Sequence, residues 1–248
     1  MRFRAINVAV FVFATMISVR PASAACSNAT LKGVYGYYHG RPGGGSQIIA
    51  VVGQFTADGA GNLSGYWTMS VNGTISNGSF DGVYSISGNC TGTLTFATED
   101  TTNAHFTIAL DDSHQGFQMI QTDNGFAQPG FGLAQGKTSC ALTGKKQVLA
   151  TNFLGLLYPG PDIEAIVGPI TLDGSGNITS GTETFSIAGT ITVASVTGTY
   201  TEDGSCRGQA TIIGATTMNF NTVLVNSGKE MIMIETDNNT LVAGTAQE

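Results

Sequence analysis

The stretch Gly53-Gln-Phe-Thr-Ala-Asp58-Gly-Ala-Gly-Asn62-Leu63 returns in the second half of the chain as Gly168-Pro-Ile-Thr-Leu-Asp173-Gly-Ser-Gly-Asn177-Ile178. Three further segments follow the same repeat: Gly82-Val-Tyr84 with Gly198-Thr-Tyr200, Thr122-Asp123 with Thr236-Asp237, and Gly132-Leu-Ala-Gln135 with Gly244-Thr-Ala-Gln247. The repeat length of roughly 115 residues is far longer than that of solenoid repeats, so each copy is large enough to own a hydrophobic core.

Each copy divides into eight short β-strands separated by glycine, asparagine and aspartate turns. The first copy predicts strands at 31–39, 47–57, 62–72, 75–87, 91–98, 104–111, 116–122 and 130–135. The second predicts strands at 147–156, 163–172, 177–186, 190–201, 208–213, 218–225, 230–236 and 241–246. Alternation of apolar and polar residues, as in Phe106, Ile108 and Leu110, supports this division.

Short connections between these strands favour an up-and-down meander, and closure into a barrel removes both exposed edges. The sequence therefore predicts an all-β protein of two tandem eight-stranded antiparallel up-and-down β-barrel-like domains. A β-sandwich built from the same strands is the alternative. Closure is expected to place Gly132-Leu-Ala134 beside Gly33-Val-Tyr35. Low aromatic content and the expected disulfides disfavour a single sixteen-stranded outer-membrane barrel.

Several of these motifs carry a family resemblance. The tandem of Phe55-Thr-Ala-Asp-Gly-Ala-Gly-Asn62, Gly82-Val-Tyr84 and Cys90-Thr-Gly92 resembles a group of uncharacterised secreted bacterial β-proteins, which implies no known activity. The barrel architecture is similar to that of calycins (lipocalins and avidins) and of allene-oxide-cyclase-like barrels. The lipocalin Gly-x-Trp signature is missing, since Trp67 follows Tyr66, so no site residue is carried over from those families.

The N-terminus predicts a secretory signal and therefore a secreted or periplasmic protein. Arg2 and Arg4 precede an apolar run, and Ala22-Ser23-Ala24 supplies small residues for cleavage near Ala24. We expect residues 1–24 to be the signal peptide, 25–137 the first repeat and 138–248 the second. No transmembrane segment is expected after signal removal.

The charge of the chain restricts its partners. The formal net charge is −7, and residues 1–24 contribute three arginines and no acid, so their removal makes it more negative. An acidic protein repels phosphate backbones, and we expect no nucleic-acid partner. A small-molecule ligand is the expected partner, and the composition leaves the oligomeric state open.

The four cysteines follow the repeat. Cys26 corresponds to Cys140 and Cys90 to Cys206, so the pairing Cys26–Cys90 and Cys140–Cys206 places one bridge in each copy. The competing interpretation is a zinc site, but no pair has the two-residue spacing typical of zinc ligands. We expect disulfides, no metal and no cofactor.

The densest set of aromatic and polar residues lies in the first copy and has no counterpart in the second: Tyr35, Tyr37, His39, Arg41 and Trp67. Tyr35 and Tyr37 share one face of a strand, and Trp67 is expected across from them in a barrel lumen. Such a set suits a small planar or sugar-like ligand at a barrel mouth. Ordinary core and rim aromatics are the alternative interpretation.

Two other features have a structural and a functional interpretation. The loops that begin at Asp58 and Asp173 could form calcium sites, because aspartate and asparagine oxygens are calcium ligands. Each loop has a single carboxylate, however, so a tight turn is the favoured interpretation. His105 and His114 are expected to be solvated turn residues. No Gly-x-Ser-x-Gly elbow supports a serine hydrolase.

Together these patterns predict a secreted or periplasmic non-enzymatic β-protein that binds a small apolar or amphipathic ligand. The alternatives are a cyclase- or isomerase-like enzyme that uses the barrel lumen, and a structural or adhesive envelope protein. The lumen distinguishes them, since a wide apolar cavity favours binding, convergent ionisable groups favour catalysis, and a filled interior favours a structural role.

Overall fold

A computed structural model describes residues 25–40, 48–98, 103–136, 142, 144, 146–157 and 162–248. Within these ranges sixteen strands form two closed eight-stranded antiparallel barrels in sequence order, which confirms the predicted up-and-down barrels over the sandwich. The strands of the first barrel are β1 (Lys32–Gly40), β2 (Ile49–Asp58), β3 (Asn62–Val71), β4 (Thr74–Ile86), β5 (Thr91–Thr98), β6 (Asn103–Leu110), β7 (Gly116–Gln121) and β8 (Pro129–Ala134). Those of the second are β9 (Gln147–Leu157), β10 (Asp162–Leu172), β11 (Asn177–Ile187), β12 (Thr190–Glu202), β13 (Arg207–Ile213), β14 (Thr217–Val225), β15 (Glu230–Glu235) and β16 (Thr240–Gln247).

The first barrel closes between β1 and β8. Gly132 lies opposite Tyr37 and Ala134 lies opposite Tyr35, so the segment 132–134 pairs with residues 35–37 and meets the predicted segment 33–35 only at Tyr35. The physical reason is the stagger of a closed barrel, in which the strands tilt and the last strand meets the first with an offset.

The N-terminal segment fills one end of the first barrel. Leu31 is buried at 1% exposure, and the Tyr84 hydroxyl donates to the carbonyl oxygens of Asn28 and Leu31 at 3.1 and 2.9 Å. The predicted disulfide Cys26–Cys90 is present and ties this segment to the turn before β5. This end of the barrel is therefore closed by its own N-terminal segment.

The second predicted bridge lies partly outside the described residues. Cys206 is disulfide-bonded, but Cys140 is not among the residues described. The predicted signal peptide at 1–24, Arg41 and the boundary at residues 137 and 138 also fall outside them. Across the part of the chain that is described, no helix is long and apolar enough to cross a membrane.

The aspartate loops of the repeat are turns held by their own side chains. Asp58 Oδ1 accepts hydrogen bonds from the backbone nitrogens of Ala60, Gly61 and Asn62 at 2.6 to 3.0 Å, and Oδ2 accepts from Asn62 Nδ2 at 2.7 Å. These bonds, the one from the Asn62 side chain first, lower the pKa of Asp58 to about 2. Both carboxylate oxygens are thus engaged within the turn, as the turn interpretation requires.

The two barrels pack against each other through an aliphatic interface. The outward face of β2 meets the outward faces of β14, β15 and β16 of the second barrel. Polar contacts border it: Ser70 Oγ donates to the carbonyl of Thr240 at 3.1 Å, and Asn221 Nδ2 donates to Thr68 Oγ1 at 3.0 Å. The buried members are Ala50, Val52, Val223, Val225, Ile232, Ile234, Leu241 and Ala243.

Candidate functional site

A cavity of about 390 Å³ opens at the end of the first barrel opposite the disulfide. Its volume lies within the range of small-molecule sites. The lining is mainly apolar, with a few polar groups near the mouth. The lining residues are Tyr37, His39, Ile49, Val51, Trp67, Met69, Phe80, Phe96, Asn103, Ala104, Gln121, Asp123, Phe126 and Gln128.

Two glycines make room for the large rings of the cavity wall. A Cβ atom at Gly53 would lie 2.6 Å from the Tyr37 ring, and one at Gly78 would lie 2.5 Å from Trp67 Cζ2. Both distances are below ordinary van der Waals contact, so these rings require glycine at the facing positions. The Nε1 atom of Trp67 is buried and has no hydrogen-bond partner among the described residues.

The aromatic floor of the cavity is packed. Tyr37 is 1% exposed, and its ring centroid lies 5.4 Å from that of Phe96 and 6.1 Å from that of Phe80. Burial raises the pKa of the Tyr37 hydroxyl, so this group is neutral at ordinary pH. The floor therefore offers flat apolar surface and no charge.

His39 is the one histidine among the described residues that line the cavity. Its Nδ1–H donates to Gln128 Oε1 at 2.8 Å, and the hydrogen-bonded pair is buried. Burial lowers the pKa of His39 to about 4, although the bond to Gln128 opposes this shift. The ring is therefore neutral at pH 7 and carries its lone pair on Nε2, which makes it an acceptor for a ligand hydroxyl or amide.

Asp123 anchors the rim. Its Oδ1 accepts from His105 Nδ1 at 2.6 Å, and its Oδ2 accepts from the His105 backbone nitrogen and from Gln121 Nε2, both at 2.8 Å. In the second barrel Asp237 accepts in the same way from the backbone nitrogen of Asn219 at 2.7 Å and from its Nδ2 at 2.8 Å. Because asparagine takes the place of His105, this contact belongs to the repeated framework.

The charge of Asp123 follows from these contacts. Partial burial raises its pKa, but the hydrogen bonds from Gln121 and from His105 outweigh burial and lower the pKa overall. The carboxylate is therefore ionised at neutral pH and already holds its donors. It contributes a fixed negative charge at the mouth of the cavity.

The structure brings together Tyr37, His39 and Trp67 of the predicted site residues around this cavity. Tyr35 lies elsewhere, because it stacks on Phe55 at 5.6 Å between centroids, toward the closed end. Arg41 lies outside the described residues. Gln121 and Gln128 also line the cavity but were not predicted as site residues. Their position close to the duplicated pair Thr122-Asp123 is the sequence signal that could have identified them.

The matching end of the second barrel has carboxyl groups in place of uncharged side chains. By the repeat, Ile49, Trp67 and Gln121 correspond to Glu164, Glu183 and Glu235. These glutamates are 4%, 0% and 3% exposed, and burial raises the pKa of each. Thr151 Oγ1 donates to Glu183 Oε1 at 3.0 Å, whereas Oε2 of both Glu183 and Glu235 has no partner among the described residues. The two barrel interiors therefore have different chemistry.

One group of metal-ligand residue types is close together within the described part of the chain. Cys26, Cys90 and His114 place their ligand atoms within 4.8 Å of one another, with His114 Nε2 3.5 Å from Cys26 Sγ. The two sulfurs are bonded to each other, so neither is a thiolate in this state. His105 and His114 thus lie at opposite ends of the barrel.

No protein-family model and no curated protein matches this chain. Among solved structures it is similar to the isotype 1 transferrin binding protein B of serogroup B Neisseria meningitidis, with 7% identity, 88% of this chain and 75% of that chain covered, and a TM-score of 0.36. It is also similar to kievitone hydratase of Nectria haematococca, with 9% identity, coverage of 91% and 93%, and a TM-score of 0.29.

Proposed function

We propose that the protein is a secreted or periplasmic, non-enzymatic carrier or receptor that binds one small apolar or amphipathic molecule in the first barrel. The observation that carries this proposal is the 390 Å³ cavity, with its aromatic floor and few polar groups. Burial of a ligand's apolar surface there supplies the affinity, at roughly 25 cal/mol per Å². His39 and Gln128 would orient one polar group of the ligand.

The polar groups of the cavity favour binding over catalysis. His39 is neutral and donates to Gln128, and the Asp123 carboxylate is held by His105 and Gln121. General acid–base catalysis requires a group whose pKa lies near the working pH, and a pKa of about 4 makes His39 a weak base.

The single tryptophan of the chain is Trp67, which makes its fluorescence a specific reporter of this cavity. We expect titration with N-phenyl-1-naphthylamine, a neutral apolar probe, to change Trp67 emission saturably with one site per chain. Ala104 lines the cavity, so Ala104→Phe should fill it and weaken the probe at least about tenfold, which is ~1.4 kcal/mol.

Ala109 provides the matched control for this substitution. It lies on the same strand β6 but is exposed on the outside of the barrel, so Ala109→Phe should leave the titration unchanged. Binding of the probe that survives Ala104→Phe, or that is lost equally in both variants, would overturn the cavity as the site.

The second candidate function is a lumen isomerase or cyclase, which the Nε2 lone pair of His39 favours. Native mass spectrometry on protein purified from its own compartment separates the two functions. A carrier and its His39→Gln variant should retain the same molecule. An enzyme should retain a product whose chromatographic retention differs from that of the molecule bound to the variant.

A further inference from the structure

The face by which the first barrel packs on the second occurs a second time, on the outside of the second barrel. The residue type is the same at all five positions of this face. By the repeat, Ile48, Ala50, Val52, Thr68 and Ser70 correspond to Ile163, Ala165, Val167, Thr184 and Ser186.

The two copies of this face also have the same cross-strand pairing. In each barrel the valine lies opposite the threonine, and the alanine lies opposite the serine. The pairs are Val52 with Thr68 and Ala50 with Ser70 in the first barrel, and Val167 with Thr184 and Ala165 with Ser186 in the second. The same side chains are therefore presented in the same arrangement on both barrel walls.

The two copies differ in what covers them. In the first barrel Ala50 and Val52 are 1% and 2% exposed, because β14–β16 of the second barrel pack on them. In the second barrel Ile163 and Val167 are 59% and 56% exposed. The face on the first barrel is thus covered by the second barrel, whereas the equivalent face on the second barrel is exposed.

Neighbouring strands enlarge the open face. Ile191 and Val193 on β12 are 62% and 63% exposed, and Leu154 on β9 is 46% exposed. The rows run Leu154–Ala165–Ser186–Ile191 and Asn152–Val167–Thr184–Val193 across β9 to β12. No residue in these two rows is charged. Contiguous exposed apolar surface of this kind is typical of interaction sites.

We propose that this face binds the same face of a second copy of the chain about a two-fold axis. The aliphatic wall that covers the equivalent face, on β14–β16, is buried within its own chain and is not available. The open face itself presents aliphatic side chains like those of that wall, so a second copy of the face can cover it as the wall covers the equivalent face. Its two rows carry no charge, so two acidic chains can meet there without repulsion between like charges.

Sedimentation velocity tests this proposal. The wild-type chain, with residues 1–24 removed, is expected to sediment with twice the mass of one chain. Val167→Asp combined with Val193→Asp should give the mass of one chain, because it places carboxylates in the centre of the contact. Val193→Lys is a second variant with the same expected result, and an unchanged far-ultraviolet circular dichroism spectrum, to which both barrels contribute, shows that each variant is folded.

Val83→Asp is the matched control, because Val83 is 55% exposed on the first barrel, away from this face. It should leave the dimer intact. A monomeric wild type, a dimer that persists in both variants of the open face, or dissociation by Val83→Asp would each overturn the proposal. Binding of the monomer to phosphatidylglycerol vesicles, lost in the open-face variants, would also overturn it in favour of a membrane surface.

Discussion

Replacement of both Cys26 and Cys90 by serine is expected to lower the free energy of unfolding of the first barrel by roughly 4 kcal/mol. The bond closes a loop with a sequence separation of 64 residues, and constraint of so long a loop in the unfolded chain stabilises the folded state by about that amount. The bond also holds the segment around Leu31 over the closed end, so its loss exposes core surface.

Guanidinium unfolding followed by Trp67 fluorescence measures this effect, because the single tryptophan lies in the first barrel. The double serine variant should unfold at a lower midpoint, and wild type in reductant should approach that midpoint. Single replacement of Ser85, which is exposed on β4, by cysteine provides a control for a thiol alone. Equal midpoints for the oxidised wild type and the double variant would contradict the expected stabilisation.

Much of the fold could be predicted because glycine and aspartate turns fix the ends of the strands. Asp58 and Asp173 begin turns whose hydrogen bonds are local, so the sequence alone identifies them. Barrel closure also follows from short connections and unpaired edges. The register of β1 against β8 could not be predicted in this way. It depends on the tilt of all eight strands, which no local turn determines.

The site could be predicted only in part, for a similar reason. Tyr37 and Trp67 share the cavity because the pairing of β1, β2 and β3 brings Tyr37, Gly53 and Trp67 to the same level. The alternation of the sequence places Tyr35 on the same inward face as Tyr37. It does not show which inward residues lie in the packed part of the barrel and which line the cavity. Tyr35 therefore joins the packed end, where Phe55 and Phe117 contact it.

The same argument explains why the barrel interface was not predicted. Ile48 and Ile163 stand in the same sequence context, yet one packs against the second barrel and the other is exposed. Period-two alternation identifies an outward residue but does not identify what lies outside it. Only the position of the second barrel distinguishes these two copies of one pattern.

Glu235→Gln is expected to stabilise the protein in a pH-dependent way. Burial, then the nearby Glu164 and Asp237, raise the pKa of Glu235 to about 8 from the usual 4.5. The folded state therefore keeps the proton that the unfolded state loses above pH 4.5. The stability contributed by protonated Glu235 is fully present below pH 4.5 and is lost as the pH rises toward 8.

Glutamine has the shape of the protonated side chain and does not titrate. It is also the residue at the equivalent position in the first repeat, Gln121, which donates to Asp123. Wild type and Glu235→Gln should have similar free energies of unfolding at pH 4.5. At pH 8 the variant should be more stable by roughly 4 kcal/mol, from about 1.4 kcal/mol per unit of pKa difference.

Urea unfolding at a series of pH values between 4.5 and 8 measures this difference. Glu248→Gln removes one carboxyl from an exposed position and is the control for the loss of a single charge. The reciprocal change Gln121→Glu should place a buried acid in the first barrel and lower its stability as the pH rises. A difference between wild type and Glu235→Gln that stayed constant across this range would show that folding does not raise the pKa of Glu235, which would contradict the prediction.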